Sequence, residues 1–252
     1  MVLVSIVIFI LILGAGLLGL WAHKRLPEAV KDDSARSVVG QVTGIVSLLL
    51  ALVLGTLIGT SFGFFGTQKT ELEMLSSQIL MLDQALAQFG PDTKPARDRL
   101  KESVQTVYET FWGDRDPDPK LLSVTMPLAS AQATKAFLAT LKPETDAQKQ
   151  ALASANLLTN QIMQGRVMID LQVASHPISS GMLTVLTIWA VILFFAMGLF
   201  VKQNGLVVAA MAFGAICVAF AIFLILELGL PYTGLFRVSG AALHTVLETI
   251  DN

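Results

Sequence analysis

The sequence predicts an all-α fold: four transmembrane helices, with a helical extramembrane domain inserted between the second and the third. Three observations predict it. Four apolar runs, at 2–21, 38–65, 182–201 and 206–228, are nearly free of charge. Each is long enough to cross about 30 Å of hydrocarbon at roughly 1.5 Å per helical residue. Between the second and third runs, apolar residues recur at helical spacing, and no alternation of the strand type competes. Finally, the 252-residue chain is 54% hydrophobic and only 14% charged, where soluble domains carry about 25% charged residues.

The first run, 2–21, reads as a retained helix, because its apolar core exceeds the roughly 7–15 residues of a signal peptide. Trp21 closes it at the interface, and His23, Lys24 and Arg25 follow at headgroup level. A short loop at 22–37 carries Lys24, Arg25, Lys31 and Arg36. The second span is expected at 38–65. The chain then divides into a first helix pair at 1–65, an extramembrane domain at 66–181, a second pair at 182–230, and a C-terminal turn with a short helix at 231–252.

The stretch 40–89 organises the rest, because nothing within it clearly breaks the helix. Gly40, Gly44, Ser47, Ala51, Gly55, Gly59 and Gly63 recur every three or four residues, which places them near one helix face. Small residues let helix backbones approach closely in lipid, where packing drives association. Gly44, Ser47, Ala51, Gly55, Gly59 and Gly63 are therefore expected to be helix-packing residues. Their partner is either another span of the same chain or a sister subunit. Beyond the span, Leu72, Leu75, Ile79, Leu82, Leu86 and Phe89 step by three and four, which is an a/d seam. Phe65 and Gln68 continue that seam backward.

In the extramembrane domain, Gly90-Pro91 turns the chain. Leu100, Val104, Val107 and Phe111 mark a helix ending near Gly113, and a further helix is expected at 128–141. Thr145 with Gln148 forms a capping box that opens the next helix toward Ala174. The turn 202–205 joins the last two spans, and Pro231-Tyr-Thr-Gly234 ends the fourth, with Tyr232 expected at the interface.

Little in the chain points to catalysis. It holds no phosphate loop, no dinucleotide fingerprint and no nucleophile elbow. The single cysteine, Cys217, sits in an apolar run, a poor place for a thiolate. The three histidines, His23, His176 and His244, are far apart in sequence, so neither a metal site nor any cofactor is expected. Asp114, Asp116 and Asp118 superficially resemble a calcium loop, but Pro119 and Thr125 stand where such a loop needs glycine and glutamate. A net charge of −2 gives no basic surface for nucleic acid. Glu227 is the one acid near a span interior, and its place in the last turn favours an interfacial carboxylate over an ion path. The expected class is therefore a membrane protein and not an enzyme.

The layout, with Val39-Gly-Gln-Val-Thr-Gly44, Leu54-Gly55 and Pro231-Tyr-Thr-Gly-Leu-Phe-Arg-Val-Ser239, is similar to a bacterial family of bestrophin-like membrane proteins. The chain departs from that family in carrying Gly229 and Leu230 where an Asp-Arg pair is usual. Bestrophins are pentameric anion channels lined by the second span, so the resemblance implies a homo-oligomer in the bacterial inner membrane. Two functions follow. In one, the second span lines a pore, with Thr56, Thr60 and Ser61 as polar lining and Phe62, Phe64 or Phe65 as a hydrophobic constriction. In the other, the chain is a non-conducting scaffold or sensor whose helical domain binds a partner. The basic residues of the 22–37 loop and Lys202 place the short loops in the cytoplasm. The domain and both termini then face outward, opposite to the orientation that the bestrophin resemblance implies.

Overall fold

The computed structural model describes residues 1–25, 33–113, 128–174 and 180–250. Eight α-helices and no strand occur among them: α1 (Val2–Arg25), α2 (Asp33–Phe89), α3 (Lys94–Trp112), α4 (Leu128–Leu138), α5 (Asp146–Ala174), α6 (Ser180–Leu199), α7 (Gly205–Leu228) and α8 (Ala241–Ile250). Helices α1, α6, α7 and the first part of α2 are each long and apolar enough to cross a membrane. Lys31, the Asp114–Asp118 motif and His176 lie outside the described residues.

Helix α2 runs unbroken for 57 residues, roughly 85 Å of helix. It ends where expected, at Gly90, whose φ of 128° only glycine adopts readily. The free carbonyls at its end are covered in two ways. The buried Thr93 hydroxyl bonds to Leu86 O at 2.6 Å and Gly90 O at 2.8 Å, and Gln148 Nε2 donates to Phe89 O at 3.1 Å. The expected capping box is present: Thr145 Oγ1 accepts from the Gln148 backbone N–H, and the Gln148 side chain accepts from the Thr145 N–H, each at 3.2 Å.

The chain divides into two compact units, and the boundary falls inside α2. The first holds residues 1–64 and 177–229. Its close packing is between α1 and α6, and glycine makes it possible. A Cβ on Gly19 would collide with the Phe195 carbonyl, and one on Gly198 with the Gly16 carbonyl. His23 at the end of α1 bonds to Leu199 O at 2.8 Å, and Arg25 stacks over the Trp21 ring at 4.1 Å. Helix α2 joins this unit through Leu50, Leu54 and Leu57, which bury against Ile8, Ile12, Leu193 and Ile222 among others. Glu227 is also buried here, 2% exposed.

The second unit holds residues 65–176 and 230–252. By their contacts, 230–252 group with 65–176. All six seam residues, Leu72 to Phe89, are buried, and five of them, Leu72, Leu75, Ile79, Leu82 and Leu86, form one core with Val104, Phe111, Ala155, Ile162 and Leu243. The seam is thus filled by helices of the same chain. Asp83 and Arg97 clamp α2 to α3 through two parallel bonds of 2.7 and 2.8 Å. Both Asp83 oxygens meet the guanidinium, and this hydrogen-bonded contact raises the Arg97 pKa against the desolvation that lowers it.

Candidate functional site

In the first unit, the buried positions of α2 are Leu50, Leu54, Leu57 and Ser61. They step by four, three and four, so they form one face. Gly55, Thr56, Gly59, Thr60, Phe62 and Gly63 lie off that face and are exposed. A Cβ built on any of Gly40, Gly44, Gly55, Gly59 or Gly63 would meet nothing within 4 Å. Among the described residues, no span of the same chain comes that close to a side chain built at these glycines. The chain spends its tight glycine crossing elsewhere, at Gly16, Gly19 and Gly198. Isolated glycines in apolar runs gave no sequence signal for that crossing. Further along α2, Gly44 and Ser47 border an unfilled groove of about 540 Å³ with Phe194, Met197 and Met211, and Ala51 is exposed.

The residues expected to line a pore do not share one face. Thr56 and Thr60 are exposed, and their hydroxyls bond back to Val53 O and Thr56 O at 2.8 and 2.9 Å. Phe62 is 66% exposed. Ser61, by contrast, is fully buried, and its hydroxyl has no hydrogen-bond partner. Phe65 is half-buried against the core of the second unit. The helical period separates Ser61 from Thr56 and Thr60, because at roughly 3.6 residues per turn it lies about 140° and about 100° round the helix from them. Heptad continuity places Phe65 with the seam, which leaves Phe62 as the aromatic residue on the open side.

In the second unit, the Pro231-Tyr-Thr-Gly234 corner builds a buried polar junction. The Tyr232 hydroxyl donates to Gln68 Oε1 at 3.2 Å, the Gln68 amide donates to Gln172 Oε1 at 2.5 Å, and Gln172 Nε2 donates to Glu71 Oε1 at 2.8 Å. Helix α2, helix α5 and the C-terminal corner are tied in this way by side chains more than a hundred residues apart. Tyr232 is 5% exposed, not interfacial. Burial first, and then the nearby Glu71 and Asp170 carboxylates, push its pKa up. Aromatic contacts fix the corner further: Tyr232 meets Phe111 and Trp112, and Trp112 Nε1 donates to Val238 O at 2.8 Å. Gly240 has no room for a side chain, since a Cβ there would lie 2.7 Å from the Trp112 ring. The sequence signal for this junction was Gln68, a polar residue at a seam position between Phe65 and Leu72.

No group of three or more potential metal ligands occurs among the described residues. The fold and these two regions define a multi-pass α-helical membrane protein. Residues 10–243 match the model of the Bestrophin-like domain, and the chain belongs to that family. No curated protein and no solved structure matches it.

Tyr232→Phe removes the donor to Gln68, and leaving a buried acceptor without its partner costs about 1–3 kcal/mol. The variant should melt at a lower temperature. A pKa raised by folding means stability that is full below the unfolded value and lost as pH rises through the folded one. The gap between wild type and variant should therefore narrow above about pH 10, where an unfolded tyrosine ionises. Melting curves across pH 7–11 check this; a gap that stays constant contradicts it.

Proposed function

We propose that the protein is a homo-oligomeric channel of the bacterial inner membrane, in which the open side of α2 meets copies of itself around a conducting path. The observation that carries this reading is the run Gly55, Thr56, Gly59, Thr60, Phe62 and Gly63, exposed on a membrane helix, where a Cβ on Gly55 or Gly59 would meet nothing within 4 Å among the described residues. A helix interior avoids glycine, at about 1 kcal/mol per residue against alanine. Exposed glycines at 55 and 59 suit the close approach of a second helix. Membership of the Bestrophin-like family supports a channel over an enzyme.

Thr56 and Thr60 supply the polarity, and Phe62 supplies a ring that holds back water and ions until it moves. Their hydroxyl protons are spent on the helix backbone, so what they offer outward is oxygen lone pairs. An anion would be met by donors, which requires these hydroxyls to rotate. Anion selectivity, the property that the bestrophin resemblance implies, therefore depends on that rotation or on groups elsewhere. A second reading, a non-conducting scaffold or sensor, is favoured by a cavity of about 280 Å³ in the helical unit, lined by Leu75, Val104, Val107 and Ile162 among others.

The short loops are placed in the cytoplasm by Lys24, Arg25, Arg36 and Lys202, with the helical unit and both termini outside. In a Cys217→Ala background, a membrane-impermeant thiol reagent added to intact cells should label Asp98→Cys and miss Lys202→Cys. The reverse pattern would establish the opposite orientation.

Gly59→Leu adds bulk where two helices would meet, so its assembled mass in mild detergent should fall toward that of the monomer. A wild type that is itself monomeric at every concentration removes the oligomer.

Phe62→Ala should raise ion flux from liposomes, and Thr60→Lys should shift preference toward anions. If wild type and both variants are silent, the scaffold reading replaces the channel.

A further inference from the structure

The packing face of α2 in the first unit is not filled along its whole length. Its buried positions, Leu50, Leu54, Leu57 and Ser61, extend backward by steps of three and four to Ser47, Thr43, Gly40 and Arg36. Leucine packs into the unit's core at 50, 54 and 57. At 40, 43 and 47 the side chains are too short to do so, and a groove of about 540 Å³ lies there, unfilled among the described residues. Its opposite wall is apolar and comes from α6 and α7, with Phe194, Met197 and Met211. The Ser47 hydroxyl adds little polarity, because its proton is spent on Thr43 O at 2.8 Å. The charged residue of the lining is Arg36, at the first turn of the groove.

From Arg36 to Ser47 the groove follows roughly 16 Å of helix, about half of the hydrocarbon thickness. It therefore lies in one leaflet and starts at the end of the unit where α1 stops and α7 begins. That end carries Lys24, Arg25, Lys31, Arg36 and Lys202 against Glu28, Asp32 and Asp33, an excess of basic residues.

We propose that the groove holds one acyl chain of an anionic phospholipid, with the phosphate at Arg36. Three features set the occupant. An apolar groove in a membrane span is filled by acyl chains, since water would find few polar partners there. The Arg36 guanidinium suits a phosphate through two parallel bonds, and the basic excess around it favours a headgroup with net negative charge. The volume sets the size: about 150 Å³ holds benzene, so 540 Å³ takes roughly twenty heavy atoms, one acyl chain with its ester. A helix of a second copy, about 10 Å across, would need roughly 1,200 Å³ over the same length, so the groove is too narrow for it. The acyl chain takes the place that leucines fill further along α2. The inference is independent of conduction and of assembly, since a single chain forms the groove.

The test uses the full chain in phosphatidylcholine nanodiscs with a trace of phosphatidylglycerol bearing a diazirine on its acyl chain. Irradiation should label the peptides of α6 and α7 that hold Met197 and Met211. Unlabelled phosphatidylglycerol should suppress that labelling at about fivefold lower mole fraction than phosphatidylethanolamine, the effect of one basic residue on an anionic headgroup. Arg36→Gln should bring the two competitors to the same mole fraction. Gly44→Phe should fill the groove and abolish labelling of both peptides. Melting curves identify any variant that fails to fold, and the wild-type label map stands without the variants. Labelling spread evenly over the four spans means an annular lipid layer only and overturns the proposal. Equal competition by the two lipids in wild type, or a groove left unlabelled because a second copy covers it, overturns it as well.

Discussion

Helix α2 is two-sided, and both units depend on that. One side is buried at positions stepping by three and four, by Leu50, Leu54, Leu57 and Ser61 in the membrane unit and by Gln68, Leu72 and Leu75 onward in the helical unit. On its other side, Gly55, Gly59 and Gly63 are exposed, and a Cβ on Gly55 or Gly59 would meet nothing within 4 Å among the described residues. In lipid there is no hydrophobic gain from covering an apolar helix face, so the composition of a face reports what packs on it. A face turned only to lipid has no use for glycine. The same chain shows what glycine does when it is used: at Gly16, Gly19 and Gly198 the backbones of α1 and α6 come into direct contact, and no side chain would fit. The proposed channel puts the exposed glycines of α2 to the same use, against another copy of the chain.

The helical unit is held differently. Its apolar seam supplies burial, but its register is set by polar groups with few alternatives. Asp83 and Arg97 can form their two-bond clamp only at one alignment of α2 and α3. The chain of bonds from Tyr232 through Gln68 and Gln172 to Glu71 fixes α5 and the C-terminal corner in the same way. Buried networks of this sort are stable when satisfied and costly when broken. Here Glu71 Oε2 is buried with no bond of its own, so the junction is incomplete at one atom. With Gly229 and Leu230 at the corner in place of a charged pair, the phenol of Tyr232 supplies its polarity.

The spans, the a/d seam, the Gly90 stop and the Thr145–Gln148 box were legible in the sequence because each depends on residues a few positions apart. Long-range pairing was not. Nothing in Pro231-Tyr-Thr-Gly234 says that Tyr232 turns inward to Gln68, 164 residues away; an aromatic after a span suits the interface equally well. The small-residue stripe announced close packing without naming the partner, since small-xxx-small spacing serves a sister helix and a neighbouring span alike. The pore residues were grouped by their nearness in sequence. The helical period then split them, with Thr56, Thr60 and Phe62 on the open side, Ser61 on the buried side and Phe65 against the seam.

The central claim is that copies of the chain close over the glycine side of α2. A single-particle reconstruction of the purified wild-type protein tests it most directly. The account predicts a ring in which α2 of each copy lies innermost, with Gly55, Gly59 and Gly63 against the next copy or the axis. A monomer, or a ring assembled through α1 or α7 with the glycine side of α2 facing lipid, would contradict it.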